Sequence, residues 1–576
     1  MNIRKYIKPD AGSNAIISLA REISTEPLVA RLLLQRGIST PGEVEKFINP
    51  SLENLHNPFL MKDMEKAVAR IDLAVSAGEK IMVFGDYDVD GTTGVSLFYS
   101  FLKNHFPNAD GKKPDCSFYI PDRYSEGYGI SIKGIDYAAE NRFSLIIAID
   151  CGIKSADKIK YARSKGIDFI ICDHHLPGDD IPAASAILDP KQKNCLYPYK
   201  ELTGCGIAYK FAQAILAKQN LPLSLLDPAL DLVALSVAAD IVPVTGENRI
   251  LLAEGINRIN TKPRPGIKAL MDVGGLNRKV STGEIVFVIA PRINAAGRID
   301  SGRKSVELLT AVTYEDAAPL AKELNDDNST RKDIDARTTI EAIGMIESDD
   351  WLLNAKSTVL FNPGWHKGVI GIVASRIQEK FYRPTILLTK SNGIAAGSAR
   401  SVRDFDIYSA IESCSNLLEQ FGGHKYAAGL TIKTENIDEF RKKFDEIVTG
   451  LISDEMLVPR IDIDAEISYA EISTELFRWI DLFAPYGPGN MRPVFETKGV
   501  FDTGYSRIVG NGHLKLKVFE PVRPALRFDC IAFDQAGSFN IVKSGQPFNI
   551  TYYIDVNNWQ GYDEIQLKVK HIEEGK

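Results

Sequence analysis

The sequence predicts an α/β fold in several domains: a parallel sheet covered by helices, a second α/β domain reached through one long helix, and a strand-rich C-terminal region. A chain of 576 residues is too long for one hydrophobic core, so about three or four domains are expected. Residues 80–190 alternate short apolar runs with amphipathic stretches, which is typical of parallel strands joined by helices. Residues 314–348 form a charged, almost glycine-free run that suits a connecting helix.

The individual elements follow from the spacing of apolar residues. The runs KIMVFGDYD, SLIIAID and DFIIC predict buried strands, and TTGVSLFYSFLKNHF and IKSADKIKYARSKG have helical spacing. A second α/β unit begins at STVLF, and the C-terminal region carries the hairpin signals GNGH and NNWQG. The expected divisions are an N-terminal segment at 1–50, the first α/β domain at 51–313, the connecting helix at 314–350, the second α/β domain at 351–453 and the C-terminal domain at 458–576.

Composition limits the cellular setting. The N-terminal stretch MNIRKYIKPDAGSN has no 7–15-residue apolar core of a signal peptide, and no run approaches the ~18 apolar residues that span a bilayer. The seven cysteines form no CxxC pair, which argues against a disulfide framework and a zinc ribbon. We therefore expect a cytoplasmic protein without a membrane anchor.

The charge distribution leaves room for a nucleic-acid partner. The formal net charge is −7, whereas phosphate binding depends on Lys and Arg. Residues 256–304, however, contain ten basic and three acidic side chains, so a basic segment lies within an acidic whole. A solvated positive face is the competing interpretation of this segment.

Acidic and imidazole groups follow three of the predicted strands. Asp86, Asp88 and Asp90 come after KIMVF, Asp150 comes after LIIAI, and Asp173, His174 and His175 come after DFII. Ligands bind at the carboxyl ends of strands in an open parallel sheet, so these groups are expected to converge. A fourth acidic residue, Asp240, interrupts the apolar run LSVAADIVPV, where a helix cap is the alternative interpretation.

Such a cluster predicts a cation site. Buried carboxylates repel one another, and a bound cation removes that cost. Carboxylate oxygens with one or two imidazoles suit Mn²⁺ or Mg²⁺ better than a closed thiolate zinc site. Two ions about 3.5–4 Å apart can activate water and stabilise a leaving oxygen, so no covalent protein nucleophile is required.

These motifs resemble those of a known enzyme family. The order GDYDVDG, AIDCG, DHH and AADIVP resembles the signature of the DHH phosphoesterase family. The motifs PDRYSEGYG, PRINAAGR, GWHKGVIGIVASRI, GSARS and FGGHKYAAG are similar to those of the RecJ exonucleases within it, and the resemblance runs from about residue 50 to the C-terminus. It implies a DHH parallel-sheet domain, a DHHA1 α/β domain that binds substrate, and a C-terminal OB-fold β-barrel.

The resemblance also implies roles for the site residues. The expected catalytic residues are Asp86, Asp88, Asp150, Asp173, His174, His175 and Asp240. Five of them would bind two ions of Mn²⁺ or Mg²⁺: Asp86, Asp88, Asp150, His174 and Asp240, with Asp150 bridging. Asp173 would orient the site from behind the ligands and His175 would face the phosphate. Direct ligation by Asp90 stays open, as does the group that replaces a histidine present before the first Asp in related pyrophosphatases, where this chain has Phe84 and Gly85.

Substrate recognition is expected in glycine- and arginine-containing loops. GSARS and GGHKYAAG offer backbone N–H groups and side chains of the kind that cradle phosphates, with plain turns as the alternative. The expected substrate-binding residues are Arg123, Arg298, Ser398, Arg400, Ser401 and His424. In the C-terminal domain, Trp559, Tyr553 and Phe519 are candidates for stacking on bases, with core packing as the competing interpretation.

Three functions are compatible with these residues. The resemblance favours a single-stranded-DNA-specific 5′-to-3′ exonuclease that acts in recombination and repair, with a helicase and a single-stranded-DNA-binding protein as partners. A DHH phosphodiesterase of oligoribonucleotides or cyclic dinucleotides would share the metal site but usually needs only the first two domains. A non-catalytic DNA-binding scaffold would have no need to retain a buried carboxylate cluster.

Overall fold

Three large sheets, each with its own hydrophobic core, make up most of the chain. The structure is a computed structural model that describes residues 3–106, 113–391, 393–559 and 562–575. Within these residues no helix is both long and apolar enough to cross a membrane. All seven cysteines lie in the described residues, and each is a free thiol there.

The first sheet is parallel, as predicted, with strand order β3-β2-β4-β5-β6. The elements from the N-terminus to the end of this sheet are β1 (Arg4–Ile7), α1 (Ser13–Glu22), α2 (Pro27–Leu34), α3 (Pro41–Ile48), α4 (Met64–Ser76), β2 (Lys80–Gly85), α5 (Val89–His105), β3 (Cys116–Tyr119), α6 (Ile132–Glu140), β4 (Phe143–Ile149), α7 (Ala156–Ser164), β5 (Asp168–Cys172) and β6 (Ala186–Leu188). The predicted strands and helices are all present. The short strands β3 and β6 were not predicted, since three or four residues are too few to show a period.

The strand register brings the predicted site to one edge of this sheet. Gly85, the last residue of β2, is paired with Ile149 of β4, and Ile149 is paired with Cys172 of β5. Because the strands are parallel, the residues that follow all three leave the sheet at the same level.

A helical layer follows and leads into the long connecting helix. Its elements are α8 (Gly204–Lys218), α9 (Leu230–Ala239), α10 (Gly246–Thr261), α11 (Pro265–Val273), α12 (Thr282–Glu284), α13 (Ala290–Ile299), α14 (Arg303–Thr310), α15 (Tyr314–Glu347) and α16 (Asp350–Asn354). A π-helical turn, Ile285–Ile289, precedes α13. The 34-residue helix α15 confirms the expected connection, and Thr313 caps its N-terminus by accepting from the Asp316 amide.

The second α/β domain has a mixed five-stranded sheet in the order β10-β11-β9-β8-β7. Its elements are β7 (Thr358–Phe361), α17 (Ile370–Phe381), β8 (Thr385–Ser391), β9 (Ile394–Arg400), α18 (Ile407–Glu412), β10 (Leu418–His424), β11 (Ala427–Ile432) and α19 (Ile437–Leu451). Buried residues of α15, such as Ala342 and Ile346, share an apolar cluster with α17 and β8. The long helix is thus packed into this domain and does not stand free.

The C-terminal domain is built on a seven-stranded sheet. Its elements are β12 (Arg460–Ile463), β13 (Ala465–Glu466), α20 (Thr474–Leu482), β14 (Phe495–Asp502), β15 (Arg507–Val509), β16 (His513–Phe519), β17 (Arg527–Ala532), α21 (Phe539–Lys543), β18 (Phe548–Trp559) and β19 (Tyr562–Glu574). Strand β14 pairs with both β18 and β16, so the pairing series β14-β18-β19-β17-β16 returns to its first strand, in agreement with the expected OB-fold. GNGH forms the β15–β16 turn as predicted, whereas residues 560 and 561 of NNWQG lie outside the described residues.

The N-terminal segment packs against the opposite end of the chain. Strand β1 pairs in parallel with β12, and Leu19, Val29 and Leu33 join the core of the C-terminal domain. The sequence did not predict this contact, because nothing local in an amphipathic helix identifies the distant surface that covers it.

Candidate active site

The loop between β2 and α5 carries the first two aspartates in a tight backbone turn. A Cβ at Gly91 would lie 2.3 Å from the Asp86 carbonyl oxygen, so the helix approaches the strand end as closely as a glycine allows. Asp88 is the N-cap of α5 and accepts a 3.0 Å hydrogen bond from the Gly91 amide. The carboxylate of Asp86 is buried and accepts from the Gly129 amide at 3.3 Å.

Asp150 leaves β4 in a left-handed conformation, with φ of 61°. The Asp150 amide donates to the Cys172 carbonyl at 2.8 Å. The N-terminus of α8 packs closely against Asp150, because a Cβ added at Gly204 would lie 2.7 Å from the Cβ of Asp150. This conformation, uncommon for a residue with a side chain, aims the buried carboxylate at the centre of the strand-end cluster.

Asp173 directs its carboxylate to the two histidines that follow it. Its Oδ1 accepts from the backbone amides of His174 and His175, at 2.8 and 3.1 Å, and from Nδ1 of His175 at 2.7 Å. Its Oδ2 accepts from the Ile153 amide at 2.9 Å. Burial alone raises the pKa of Asp173, but the hydrogen bond and charge of His175 hold it at about 2. Asp173 therefore orients both histidines instead of facing the centre of the cluster.

His174 and Asp240 complete the cluster. Nε2 of His174 lies 3.2 Å from Asp150 Oδ1 and 3.6 Å from Asp240 Oδ2. Asp240 is the C-cap of α9, so a helix end delivers this fourth acidic residue to the strand-end edge. Ligand atoms of Asp86, Asp88 and Asp150 lie within 4.8 Å of one another, and the same holds for Asp90, His174 and Asp240.

The electrostatics of the cluster favour a cation. Burial and then mutual repulsion raise the pKa values of Asp86, Asp88 and Asp150, and burial with the charges of Asp90 and Asp88 raises that of Asp240 to about 9. Nδ1 of His174 is buried without a hydrogen-bond partner among the described residues. Several carboxylates and one imidazole nitrogen facing one another are the donor set expected for Mn²⁺ or Mg²⁺, so the residues present fit these ions.

Asp90 contributes to the support of the site through hydrogen bonds. Its Oδ1 accepts from the Cys205 amide at 2.8 Å and from the Ser236 hydroxyl at 2.7 Å, and its Oδ2 accepts from the Gly204 amide at 2.7 Å. Its Oδ2 also lies 3.7 Å from His174 Nε2. Asp90 thus ties α5 to the N-terminus of α8 and to α9.

The three expected substrate-binding arginines meet at the junction of the first two domains. The pKa of Arg298 is lowered to about 10, first by burial and then by the positive charges of Arg123, Arg331 and Arg400. The Arg298 guanidinium donates to the Gly368 carbonyl at 2.9 Å. Arg400 donates to Ser375 and Ser398 hydroxyls at 3.1 and 3.0 Å. These mutually repelling guanidinium groups form what we call the arginine pocket: Arg123, Arg298, Arg331 and Arg400.

The arginine pocket adjoins the acidic cluster through one residue. The Arg123 guanidinium lies 4.9 Å from the ring centroid of Tyr87, which stands between Asp86 and Asp88 in the chain. Burial, the charge of Asp86 and the opposing effect of Arg123 bring the pKa of Tyr87 to about 12. Carboxylates of the acidic cluster and guanidinium groups of the arginine pocket therefore act on the same tyrosine.

The remaining predicted substrate residues are placed differently. Ser398 belongs to the arginine pocket through Arg400, whereas the Ser401 hydroxyl donates to the Phe405 carbonyl at 2.8 Å and closes a local turn. His424 is exposed on β10, and partial burial, followed by the charges of Lys154, His175 and Lys191, lowers its pKa.

Sequence reasoning missed several members of these sites. Arg331 lies on α15, where a charged helix gives no sign that one arginine turns inward, and Asp335 on the same helix pairs with Arg376 at 2.7 Å. Lys367 lies within the quoted motif GWHKG, and the charge of Arg123 acts on it. The flanking glycines of that motif were the available signal.

The three aromatic candidates of the C-terminal domain differ in their surroundings. Phe519 packs against Phe501, with the two ring centroids 6.0 Å apart. Lys570 donates to the Tyr553 hydroxyl at 2.9 Å. The side chain of Trp559 lies outside the described residues. Two residues that were not predicted are more accessible: Tyr505 is 71% exposed and Phe533 is 54% exposed.

Three parts of the chain match known protein families. Residues 80–237 match the DHH family, N-terminal domain, residues 354–450 match the DHHA1 domain, and residues 463–571 match the RecJ OB domain. The three matches fall on the three sheets described above.

Curated proteins and solved structures are similar to nearly the whole of this chain. The single-stranded-DNA-specific exonuclease RecJ of Bacillus subtilis is 35% identical over 98% of this chain and 70% of that protein. The protein of the same name from Escherichia coli is 34% identical over 95% of this chain and 96% of that protein. The crystal structure of RecJ in complex with Mn²⁺ from Thermus thermophilus has a TM-score of 0.84 at 25% identity and covers 100% of this chain and 80% of that one.

Proposed function

Because this chain belongs to the RecJ family of single-stranded-DNA-specific exonucleases, we propose that it hydrolyses single-stranded DNA from the 5′ end and releases 5′-mononucleotides in DNA recombination and repair. The observation that carries this proposal is the position of Tyr87, which stands between Asp86 and Asp88 in the chain and has the guanidinium of Arg123 over its ring at 4.9 Å. A terminal phosphate held in that pocket would bring the adjacent phosphodiester toward the carboxylates.

The metal-dependent chemistry is assigned to the acidic cluster. We propose that two ions of Mn²⁺ or Mg²⁺ are held by five side chains: Asp86, Asp88, Asp150, His174 and Asp240. Ions bound there would polarise the scissile phosphate and activate water. Asp150 belongs to both the group with Asp86 and Asp88 and the group with His174 and His175, which supports its bridging position.

The protein residues around the ions position the phosphate. Asp173 fixes the orientation of the His175 imidazole through Nδ1 and holds the backbone of His174 through its amide. Burial lowers the pKa of His175, but the hydrogen bond and charge of Asp173 more than offset it, so the pKa is raised. A protonated His175 can donate to a phosphate oxygen from Nε2, the atom that lies 3.1 Å from the Tyr128 hydroxyl.

Directionality is assigned to the arginine pocket. The ions treat either direction of a phosphodiester chain alike, so polarity requires a pocket that accepts one end of the strand. Arg298 and Arg400 are half-buried, and a terminal phosphate, with more charge than an internal one, would relieve their mutual repulsion. The N-terminus of α17 begins beside Arg400, where a Cβ at Gly371 would lie 3.0 Å from Arg400 Nη2, and a helix N-terminus adds favourable potential for an anion.

The division of labour between domains is part of the proposal. Residues 51–313 would form the catalytic domain, 351–453 the substrate-binding domain and 458–576 a nucleic-acid-binding domain, in which Tyr505 and Phe533 offer exposed rings to bases. We propose a cytoplasmic setting, with a helicase that supplies single strands and a single-stranded-DNA-binding protein as partners.

The two other functions fit less well. A phosphodiesterase of cyclic or short oligonucleotides has no use for a third domain that packs against the N-terminal segment and the catalytic domain. A non-catalytic scaffold gives no reason to keep five ligand-type side chains turned toward one another at a cost in stability.

The test uses a linear single strand labelled at its 5′ end, a matched duplex, a closed circle and a cyclic dinucleotide, each incubated with Mn²⁺. We expect labelled mononucleotide at the earliest time points from the linear strand, little attack on blunt duplex, and none on the circle or the cyclic dinucleotide. A label that stays on a steadily shortening ladder would mean digestion from the 3′ end and would overturn the assignment of the arginine pocket.

A further inference from the structure

We propose that the C-terminal domain positions the carboxylate of Asp240 through residues 240–245, so that this domain supports the acidic cluster in addition to binding nucleic acid. The contact joins the 483–490 loop, FAPYGPGN, to residues 240–245, which we call the Asp240 loop. The inference rests on the proposed function only in taking Asp240 as a metal ligand.

The Asp240 loop begins in a strained conformation. Ile241, directly after Asp240, has φ of 59°, a left-handed conformation that a β-branched residue rarely adopts. Its side chain is 71% exposed, so packing of that side chain does not hold it there. Such a conformation persists only where surrounding structure determines it, which directs attention to the contacts of the residues that follow.

Those contacts come from the C-terminal domain. The Val244 amide donates to the Pro488 carbonyl at 2.7 Å. A Cβ at Gly487 would lie 2.4 Å from Val244 Cγ2, and a Cβ at Gly489 would lie 3.0 Å from Thr245 Cγ2. The two glycines of FAPYGPGN are thus required where the loop lies against the Asp240 loop, a role that the sequence motif alone did not reveal.

Arg249 lies in the first turn of α10, the helix that follows the Asp240 loop, and binds the 483–490 loop. It is 4% exposed and donates to the carbonyls of Phe483, Ala484 and Pro485 at 2.8, 2.9 and 3.2 Å. It also donates to the Phe47 carbonyl at 2.8 Å, so the N-terminal segment shares the joint. This set of carbonyl acceptors around one guanidinium leaves little freedom for the 483–490 loop to move away.

The 483–490 loop is itself held rigid. Asn490 donates to the Phe483 and Pro485 carbonyls at 2.8 and 2.9 Å and accepts from Arg36 Nε at 3.0 Å. On the catalytic side, the Tyr199 hydroxyl donates to the Pro243 carbonyl at 3.0 Å. The Asp240 loop therefore lies between two fixed surfaces, and the end of α9 that carries Asp240 cannot shift without breaking these contacts.

The experiment changes the sizes of the two residues at the Gly487–Val244 contact, singly and together, in the full-length protein. Gly487→Ala crowds Val244, Val244→Ala trims the same contact, and the double variant exchanges the two sizes. Gly537→Ala is the matched control, since Gly537 belongs to the same domain and a Cβ there has no neighbour within 4 Å. Circular dichroism and thermal melting establish that each variant is folded. The readouts are Mn²⁺ affinity by electron paramagnetic resonance titration without DNA, affinity for single-stranded DNA in EDTA, and kcat and KM.

We expect each single variant to weaken Mn²⁺ binding, Gly487→Ala by about tenfold, which is the usual effect of removing support from a metal ligand. The kcat should fall with it, while DNA affinity in EDTA should stay within about twofold of the parent, and the double variant should regain most of the Mn²⁺ affinity. If folded Gly487→Ala and Val244→Ala bind Mn²⁺ as the parent does, the proposal is overturned. The same holds if DNA affinity alone falls. If the parent binds Mn²⁺ but has no nuclease activity, the proposed function is contradicted. The effect of these variants on Mn²⁺ affinity still tests the present proposal.

Discussion

Nδ1 of His175 lies 2.7 Å from Oδ1 of Asp173, and the same oxygen accepts the backbone amides of both histidines of the DHH motif. One carboxylate therefore fixes the backbone turn and the imidazole plane together. The second residue of the motif, His174, is left free to turn its Nε2 toward Asp150 and Asp240.

Asp173→Asn should lower turnover by about 10–100-fold, the range expected when a group that orients a ligand is changed. An amide can still accept from one backbone N–H, so the fold should be retained. Turnover would be measured beside Asp179→Asn, an exposed acidic residue a few positions along the same segment. Activity within twofold of the control would show that the carboxylate does not orient the site.

Asp150→Asn should separate stability from activity. The amide is nearly isosteric and Asn tolerates the left-handed conformation, so packing under Gly204 is kept. Removing one of several repelling buried carboxylates should raise the melting temperature in EDTA, while the gain in melting temperature on adding Mn²⁺ should shrink and turnover should fall at least tenfold. A variant that keeps more than about a tenth of the parent activity would contradict the bridging role.

The parallel sheet and the acidic cluster were predictable from sequence because local patterns encode both. Apolar runs such as KIMVF identify buried strands, and the rule that ligands bind at strand ends is enough to group Asp86, Asp150 and Asp173 at one edge. The register Gly85 to Ile149 to Cys172 realises that expectation.

The missed features depend on contacts between distant parts of the chain. Arg331 looks like any solvated helix residue until Arg298 approaches it, and the glycines of FAPYGPGN look like turn residues until Val244 is seen beside Gly487. The pairing of β1 with β12 likewise joins residues more than 450 positions apart. No local periodicity reports such partners.

Asp189 should make stability fall as pH rises. Burial raises its pKa to about 7, and Oδ2 has no hydrogen-bond partner among the described residues, although Oδ1 accepts from the Lys191 amide at 2.7 Å. The pKa of Asp189 in the folded state lies above its value near 4 in the unfolded state, so ionisation of Asp189 destabilises the fold. This loss of stability is absent below about pH 4, grows between pH 4 and pH 7, and is complete above pH 7. Asp189→Asn should therefore be more stable than the parent at pH 8, and this gain in the free energy of unfolding should be about 3 kcal/mol smaller at pH 5. Equal pH dependence in parent and variant would show that Asp189 does not titrate in this interval; Asp180→Asn, on an exposed residue, is the control.

Arg298→Ala and Arg400→Ala should weaken binding of single-stranded DNA and reduce its salt dependence. Each lost phosphate contact lowers the slope of log affinity against log salt by about 0.7. The loss should be larger for a strand with a 5′-phosphate than for one with a 5′-hydroxyl, because the proposed pocket holds the terminal group. Arg278→Ala is the control, since Arg278 lies in the same basic segment with 78% of its side chain exposed. Slopes equal to that of the parent would make these arginines structural.

Tyr505→Ala and Phe533→Ala should lower the affinity of the protein for a long single strand of DNA. Both rings are exposed, and stacking of one base on an aromatic side chain is worth about 1–3 kcal/mol, or roughly 5- to 150-fold in affinity. A strand too short to reach from the acidic cluster to this domain should bind both variants as it binds the parent, so the ratio of the two affinities isolates the contribution of the domain. Val522→Ala is the control, because Val522 is an exposed apolar residue of the same domain, 89% accessible, without an aromatic ring. If long strands bind the two aromatic variants as tightly as the control, the strand does not pass over these rings, and the nucleic-acid contacts of this domain must lie elsewhere on its sheet.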